Sequence, residues 1–349
     1  MSEPRAQAGA SAEAVSLADE AESPWAPRRP GSLTRRVLPI VLALGLLGFV
    51  LLRIDFGSFA EALARVDHVG FVAFTTLWLA ALLVWDGFGS YIAYRSIARG
   101  VGLWDLVLYR SASYLPGLLN YHVSQGFLTY VLSRLGGVPI PRMAGATLLS
   151  YAGWFGCLLG CVAIALPLAG QRFGYSVGIV LAGLAYLGLI ASRPKLFARS
   201  SLLAPLFEAG LSGHAVALAA RFPHFAWLVL GHWVALAFFG VRVPALDALV
   251  ELPILLVVST LPITPQGFGT RDAVAGAFFA KLAPGATQEE RLAQVAACTT
   301  SWGVLLTLLS FVLGLVAMRF VNQRLGLRAE GKWRIGEASK PGASPGQGG

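Results

Sequence analysis

A run of about 20 apolar residues is long enough, at the helical rise, to cross a bilayer core of about 30 Å. This chain repeats such runs along most of its length, over 37–52, 69–94, 144–169, 177–192, 225–243 and 292–318. Six full spans are expected. A water-facing surface does not carry that pattern: only 13% of the 349 residues are charged, 56% are hydrophobic and the mean hydropathy is +0.67, against about 25% charged residues in an ordinary soluble domain. The sequence therefore predicts an all-α polytopic membrane protein.

Residues 1–36 hold Ala, Ser, Glu and Pro with almost no large apolar side chain. They bury too little to offset the entropy of ordering, so a disordered tail is expected there. Residues 321–349 are polar and Gly-containing and are expected to form a second tail, which leaves 37–320 as the transmembrane domain. The run at 37–52 has no small-residue cleavage site behind it and is expected to remain as the first span. Arg28, Arg29, Arg35 and Arg36 precede it, and Arg319, Arg324, Arg328, Lys332 and Arg334 follow the last run. By the bias of Lys and Arg toward the inside, both termini are cytoplasmic in a plasma membrane. The same rule assigns Arg95, Arg99, Arg134 and Arg142 to that side, and places Arg193, Lys195, Arg199 and Arg221 in one long central cytoplasmic loop. The formal charge of +9 is explained by these topology signals and by lipid headgroups, so no nucleic-acid partner is expected. Cys157, Cys161 and Cys298 lie in apolar runs with no metal-knuckle or disulfide spacing, and neither metal nor cofactor is expected.

Two further apolar stretches are interrupted. The first, 103–132, contains Arg110, Pro116, Gly117, Asn120 and Gln125; the second, 246–282, contains Glu251, Pro253, Pro262, Pro265, Gly267 and Gly269. Each is expected to form two half-helices around a break, as a re-entrant hairpin or a pair of thin crossings. Bare backbone at a break must be buried in protein or line a wet cavity. The order becomes span, span, broken segment, span, repeated with the second half starting on the opposite side. Such an inverted repeat with paired breaks is the pattern of alternating-access transport, with the site at the midplane.

The densest local signal is the run LPITPQGFGTRDAVAG, residues 261–276. Pro262 and Pro265 disfavour helix before them, Gly267 and Gly269 permit close approach, and Thr270 is expected to cap the half-helix that follows. Free amides at that helix start, with Gln266 and the Arg271 guanidinium beside them, make an anion site. In the competing account Thr270 and Asp272 merely cap the helix while Arg271 reaches toward the interface. Ionisable residues inside a membrane are costly and mark function, which favours the anion site.

This run resembles the Pro, Gly-x-Gly, acidic signature of the lysylphosphatidylglycerol synthase transmembrane region, also called the flippase-like domain. The resemblance extends over about residues 37–320, through Tyr91 to Gly100 and Leu118 to Ala144, and it is carried mainly by the late motif. It implies a lipid flippase that moves a lipid or lipid-linked precursor with an anionic headgroup, alone or beside a lipid-modifying enzyme or glycosyltransferase. By the resemblance Pro262, Pro265, Gly267, Gly269, Arg271 and Asp272 fall on the motif, with Asp272 where many members carry Glu. The family often has a Gly-Glu pair followed by Arg at the first break, where this chain has Gly126, Phe127 and Tyr130. Asn120, His122 and Gln125 are then left to supply polar contacts.

Other polar residues extend the candidate site. Asp86, late in the second run, is expected to pair with a cation such as Arg110, and His122 is a candidate proton carrier. His232 and Glu251 are expected to be interior or interfacial polar groups, and Cys157 and Cys161 share a helix face for packing. A membrane-embedded enzyme would need convergent acid, base or metal ligands, and no such motif occurs, so the chain is expected not to be an enzyme. A non-catalytic partner of a lipid or glycan synthase is the first alternative, and an integral membrane lipid-modifying enzyme the second.

Overall fold

The structure is a computed structural model that describes residues 56–170, 173–261 and 269–329. The expected span at 37–52 and the tails at 1–36 and 330–349 lie outside the described residues, as do Pro262, Pro265, Gln266 and Gly267. The described chain is all-helical and has no strand. Its eleven α-helices are α1 (Phe56–Ala64), α2 (His68–Tyr94), α3 (Leu103–Gly117), α4 (Tyr121–Gly136), α5 (Ile140–Leu168), α6 (Phe173–Ser192), α7 (Lys195–Ala198), α8 (Ala204–Phe238), α9 (Ala245–Thr260), α10 (Thr270–Phe279) and α11 (Gln288–Ala329).

Four of them are long and apolar enough to cross a membrane: α2, α5, α6 and α11 as far as Gly326. The fifth run expected, 225–243, is the second half of α8, which ends at Phe238 because Gly240 turns out of the helix with φ 73°. The helix is 35 residues long, but its first half carries Glu208, His214, Arg221 and His224 and bends at Gly210, where φ is 60°. It is not among the four. Both interrupted stretches do divide, into α3 and α4 around Leu118–Asn120, and into α9 and α10 around the glycine-rich motif.

Local chemistry sets the ends. Asp67 accepts from the Gly70 amide at 3.0 Å to start α2, and Asn120 accepts from the His122 amide at 2.8 Å to restart the chain as α4, each satisfying a donor that a helix start leaves open. Gly137, left-handed at φ 63°, closes α4. The α10 cap differs from expectation by one position: Gly269 is the cap at φ 81° and Thr270 is the first helical residue. The acidic side chain that satisfies the start is Asp272, whose Oδ2 accepts from the Gly269 amide at 3.0 Å. Only glycine holds such a φ without strain.

The helices pack through small residues, as membrane helices do when apolar burial alone gives no preference for protein over lipid. On α5 a Cβ at Gly145 would lie 2.3 Å from the Leu202 carbonyl oxygen, and one at Gly153 would lie 2.8 Å from that of Ala217 on α8. Trp78 and Trp227 clasp α2 to α8, each indole donating to the other's carbonyl oxygen at 2.9 and 3.0 Å. The main core joins α2, α5, α8, α9, α10 and α11, and a second joins α3 and α4 to the far end of α11. By contrast α6 buries only Ser176 and Ile190 of its 20 residues. α11 runs nine residues past the domain boundary expected at 320, because Val321 is buried and Arg324 reaches Asp105 at 2.5 Å and the Tyr109 hydroxyl at 3.0 Å.

Gly153→Ala should lower the thermal unfolding midpoint in detergent, by the equivalent of about 1–3 kcal/mol, because its methyl group meets backbone on α8. Gly160→Ala, where a Cβ meets nothing within 4 Å, should leave the midpoint unchanged or raise it. Equal behaviour of the two would contradict the close α5–α8 packing.

Candidate functional site

Asp86 on α2 is buried at 2% exposure and carries two arginines. Arg110 of α3 donates through Nε to Oδ2, and Arg221 of α8 donates to Oδ1 at 2.6 Å. Both guanidinium groups are buried; the terminal nitrogens of Arg221 are hydrogen-bonded while its Nε has no partner. Arg221 also donates to the Ser90 hydroxyl at 3.0 Å and to Ser150. Arg110 donates to Ser124 at 3.3 Å, which itself bonds Ser113 at 2.9 Å. With its amide oxygen turned toward them, Gln125 accepts from Arg110 at 3.1 Å and from the Tyr121 hydroxyl at 2.8 Å. The Arg110 guanidinium further lies 5.8 Å from the Tyr114 ring centre and 5.6 Å from that of Tyr121. Two positive charges on one carboxylate leave the cluster with one net positive charge inside an apolar bundle. A buried charge of that kind is sustained only by such dense pairing and hydrogen bonding.

The cluster opens on a cavity of about 260 Å³ between α2, α3, α4, α5, α8, α9, α10 and α11. Of the residues expected to bind substrate, Asp86, Arg110, Asn120 and Arg271 line it. Arg271 enters from α10, donating to the Thr299 carbonyl at 2.8 Å and lying 3.4 Å from the Asp272 carboxylate. Its side chain is 13% exposed, so it sits largely within the bundle. The opposite wall is apolar, with Trp78, Leu82, Trp154, Leu228 and Leu256.

The remaining expected residues lie elsewhere. Asp272 is buried behind Arg271 and, with Gly269 and Thr270, builds the α10 start. Gln125 stands behind Arg110. His122 is exposed, and its Nδ1 meets the Tyr151 hydroxyl at 2.9 Å on the flank of the bundle, away from the central cavity. Glu251 meets Lys281 at 3.5 Å.

Two site residues were not expected. Arg221 is no loop residue: it sits in the middle of α8 and is 2% exposed. His224, one turn further on, is 7% exposed and lines the cavity, its ring against the Leu82 carbonyl and its Nδ1 without a hydrogen-bond partner. The spacing Ala217, Ala220, Arg221, His224 on one helix face was the available signal. Counting every arginine between runs as a cytoplasmic marker concealed it. His232 also faces the cavity, with Nδ1 on the Leu228 carbonyl at 2.8 Å and its ring 4.6 Å from Trp302.

The described residues thus define an all-helical protein with membrane-span-like helices around a buried cationic centre. Compared with models of known protein families, with curated proteins and with solved structures, the chain matches none.

Asp86→Ala should destabilise the protein by about 3–5 kcal/mol, since it leaves two buried guanidinium groups side by side without their carboxylate. Adding Arg221→Met should recover part of that loss, a coupling that chemical denaturation in detergent measures as a double-mutant cycle. Strictly additive losses would show that the two side chains do not share a charge.

Proposed function

We propose that this protein is a membrane transporter that moves a lipid, or a lipid-linked precursor with an anionic headgroup, between leaflets. The observation that carries the proposal is the central cavity, which is lined by Asp86, by Arg110 and, from α10, by Arg271, with the Asp86 carboxylate also shared by the buried Arg221. An anion entering that space supplies the charge that the Asp86 cluster lacks. The apolar wall of Trp78, Leu82, Leu228 and Leu256 suits the first carbons of a hydrocarbon chain. Most ligand sites have this make-up, apolar walls with a few convergent polar groups.

The proposal includes the topology behind it. The first broken segment supplies Arg110, Asn120 and Tyr121, and the second supplies Leu256, Ser259, Thr260 and Arg271 to the same cavity. Their meeting supports two inverted halves, six full spans counting 37–52 and the end of α8, and a site near the midplane where the breaks face each other. The Lys and Arg distribution supports a plasma membrane with both termini cytoplasmic. The likeness of the 261–276 motif to the flippase-like domain supports the same class of cargo.

In this mechanism Arg110 and Arg221 remain held by Asp86 and the serines, so their charge is already in place before the cargo arrives and no reorganisation is needed. Arg271 on α10 faces the cargo from the other half. When the halves rock, the contacts to Arg110 and Arg271 are exchanged between an outward and an inward opening.

Purified protein in liposomes should move fluorescent phosphatidylglycerol between leaflets, and Arg271→Ala should slow the movement or weaken lipid binding roughly 5- to 150-fold, from about 1–3 kcal/mol for a charged hydrogen bond. Arg271→Lys should recover part of it, keeping the charge and losing the fork. Equal movement by Arg271→Ala at matched protein levels would overturn the role of Arg271. In that case Asp272→Ala, which unmakes the α10 start, should lower only stability, by about 1 kcal/mol.

A further inference from the structure

A second cavity of about 480 Å³ opens on the flank of the bundle, between α4, α5 and the turn that precedes α8. Ile140, Ala144, Leu148 and Leu202 give it an apolar lining. The polar groups inside are already paired: His122 with Tyr151 at 2.9 Å, and Thr129 with Thr147 at 2.7 Å, with the Tyr94 hydroxyl on Thr147 at 2.7 Å. A hydrocarbon chain can therefore lie against them without stripping an unmet hydrogen bond. Gly126, exposed on α4, forms part of the lining, and a Cβ added there meets nothing within 4 Å.

One layer of side chains separates this groove from the central cavity. On α4, Tyr121 and Ser124 face the centre while His122, Gln125 and Gly126 face the groove; on α5, Trp154 faces the centre and Tyr151 the groove. Tyr121 touches both neighbours, its ring centre 6.0 Å from Tyr151 and 6.1 Å from Trp154. Behind it, Gln125 is hydrogen-bonded to Arg110. An apolar slot that ends on a screened guanidinium matches a molecule with a hydrocarbon chain and an anionic end.

We propose that the flank groove is the lateral portal through which a lipid enters, its chain resting in the groove over Gly126 while its anionic headgroup passes Tyr121 and Gln125 to reach Arg110. This rests on the transport function proposed above. Tyr121 and Gln125 act as the gate: turning the Tyr121 ring opens the wall, and Gln125 hands its place on Arg110 to the headgroup.

The test is a plug in the groove at Gly126. Gly126→Phe fills the groove from a helix position where its Cβ meets no neighbour, and Gly178→Phe, on α6 with equally open surroundings, is the control. In liposomes with fluorescent phosphatidylglycerol, Gly126→Phe should slow leaflet exchange at least about tenfold while Gly178→Phe behaves as the unmodified protein. A plug added after folding removes any dependence on assembly. Gly126→Cys, with Cys157, Cys161 and Cys298 replaced by Ala, should lose exchange on reaction with benzyl methanethiosulfonate and regain it with dithiothreitol. Exchange unaffected by either plug would overturn the portal while leaving transport standing. A plug that alters oligomer size in detergent and leaves exchange intact would mark the groove as a contact between copies, and would overturn it too. No exchange by the unmodified protein would instead overturn the transport function itself.

Discussion

One carboxylate, Asp86, holds two guanidinium groups inside an apolar bundle, and the placement of the surrounding helices follows from that need. Asp86 comes from α2, Arg110 from α3 and Arg221 from α8, while Ser150 on α5 and Ser124 on α4 accept further hydrogen bonds from the two guanidinium groups. Five helices are thereby tied to one charge centre. A buried ion is stabilised chiefly by partners within the protein, and this cluster supplies them from several helices. The small residues complete the arrangement: a Cβ at Gly89 would lie 2.8 Å from the Arg221 Cδ, so glycine there admits the long side chain that Asp86 requires.

The class of fold was legible because membrane spans are written in length and hydropathy. Both interrupted stretches were legible from their polar and glycine residues, although Pro116 and Pro253 lie inside α3 and α9 without ending them. The Asp86–Arg110 pair could be read too: two opposite charges in adjoining apolar runs have few other partners. Arg221 could not be read from the same rules. Its neighbours Ala217, Ala220 and His224 look like a linker by hydropathy, since alanine and histidine add little, and a rule that reads arginine as a sidedness marker places it in water. What holds Arg221 inside is a tertiary partner 135 residues away in the chain, which periodicity does not reveal. The α10 cap was misplaced by one residue for a local reason: a glycine at φ 81° takes the cap position, and the side-chain oxygen arrives from the third helical residue, Asp272.

His122 shows the limit of position along the chain as a guide to place in the fold. It lies in the first turn after the break, beside Tyr121, yet the helix turn that points Tyr121 into the centre sends His122 to the flank. Residues one apart on a helix lie about 100° apart, so neighbours in a motif often serve different surfaces. In the proposed function that split is useful, because the same turn of α4 faces both the central charge and the side groove.

The central claim is that the cavity around Asp86, Arg110 and Arg271 holds an anionic headgroup. Native mass spectrometry of the protein released from mild detergent tests it most directly, by weighing the lipids that stay bound. The account predicts a bound anionic phospholipid or lipid phosphate, enriched over its share of the source membrane, and lost in Arg110→Gln protein that still folds. Retention of zwitterionic lipid in membrane proportion, unchanged by Arg110→Gln, would contradict it.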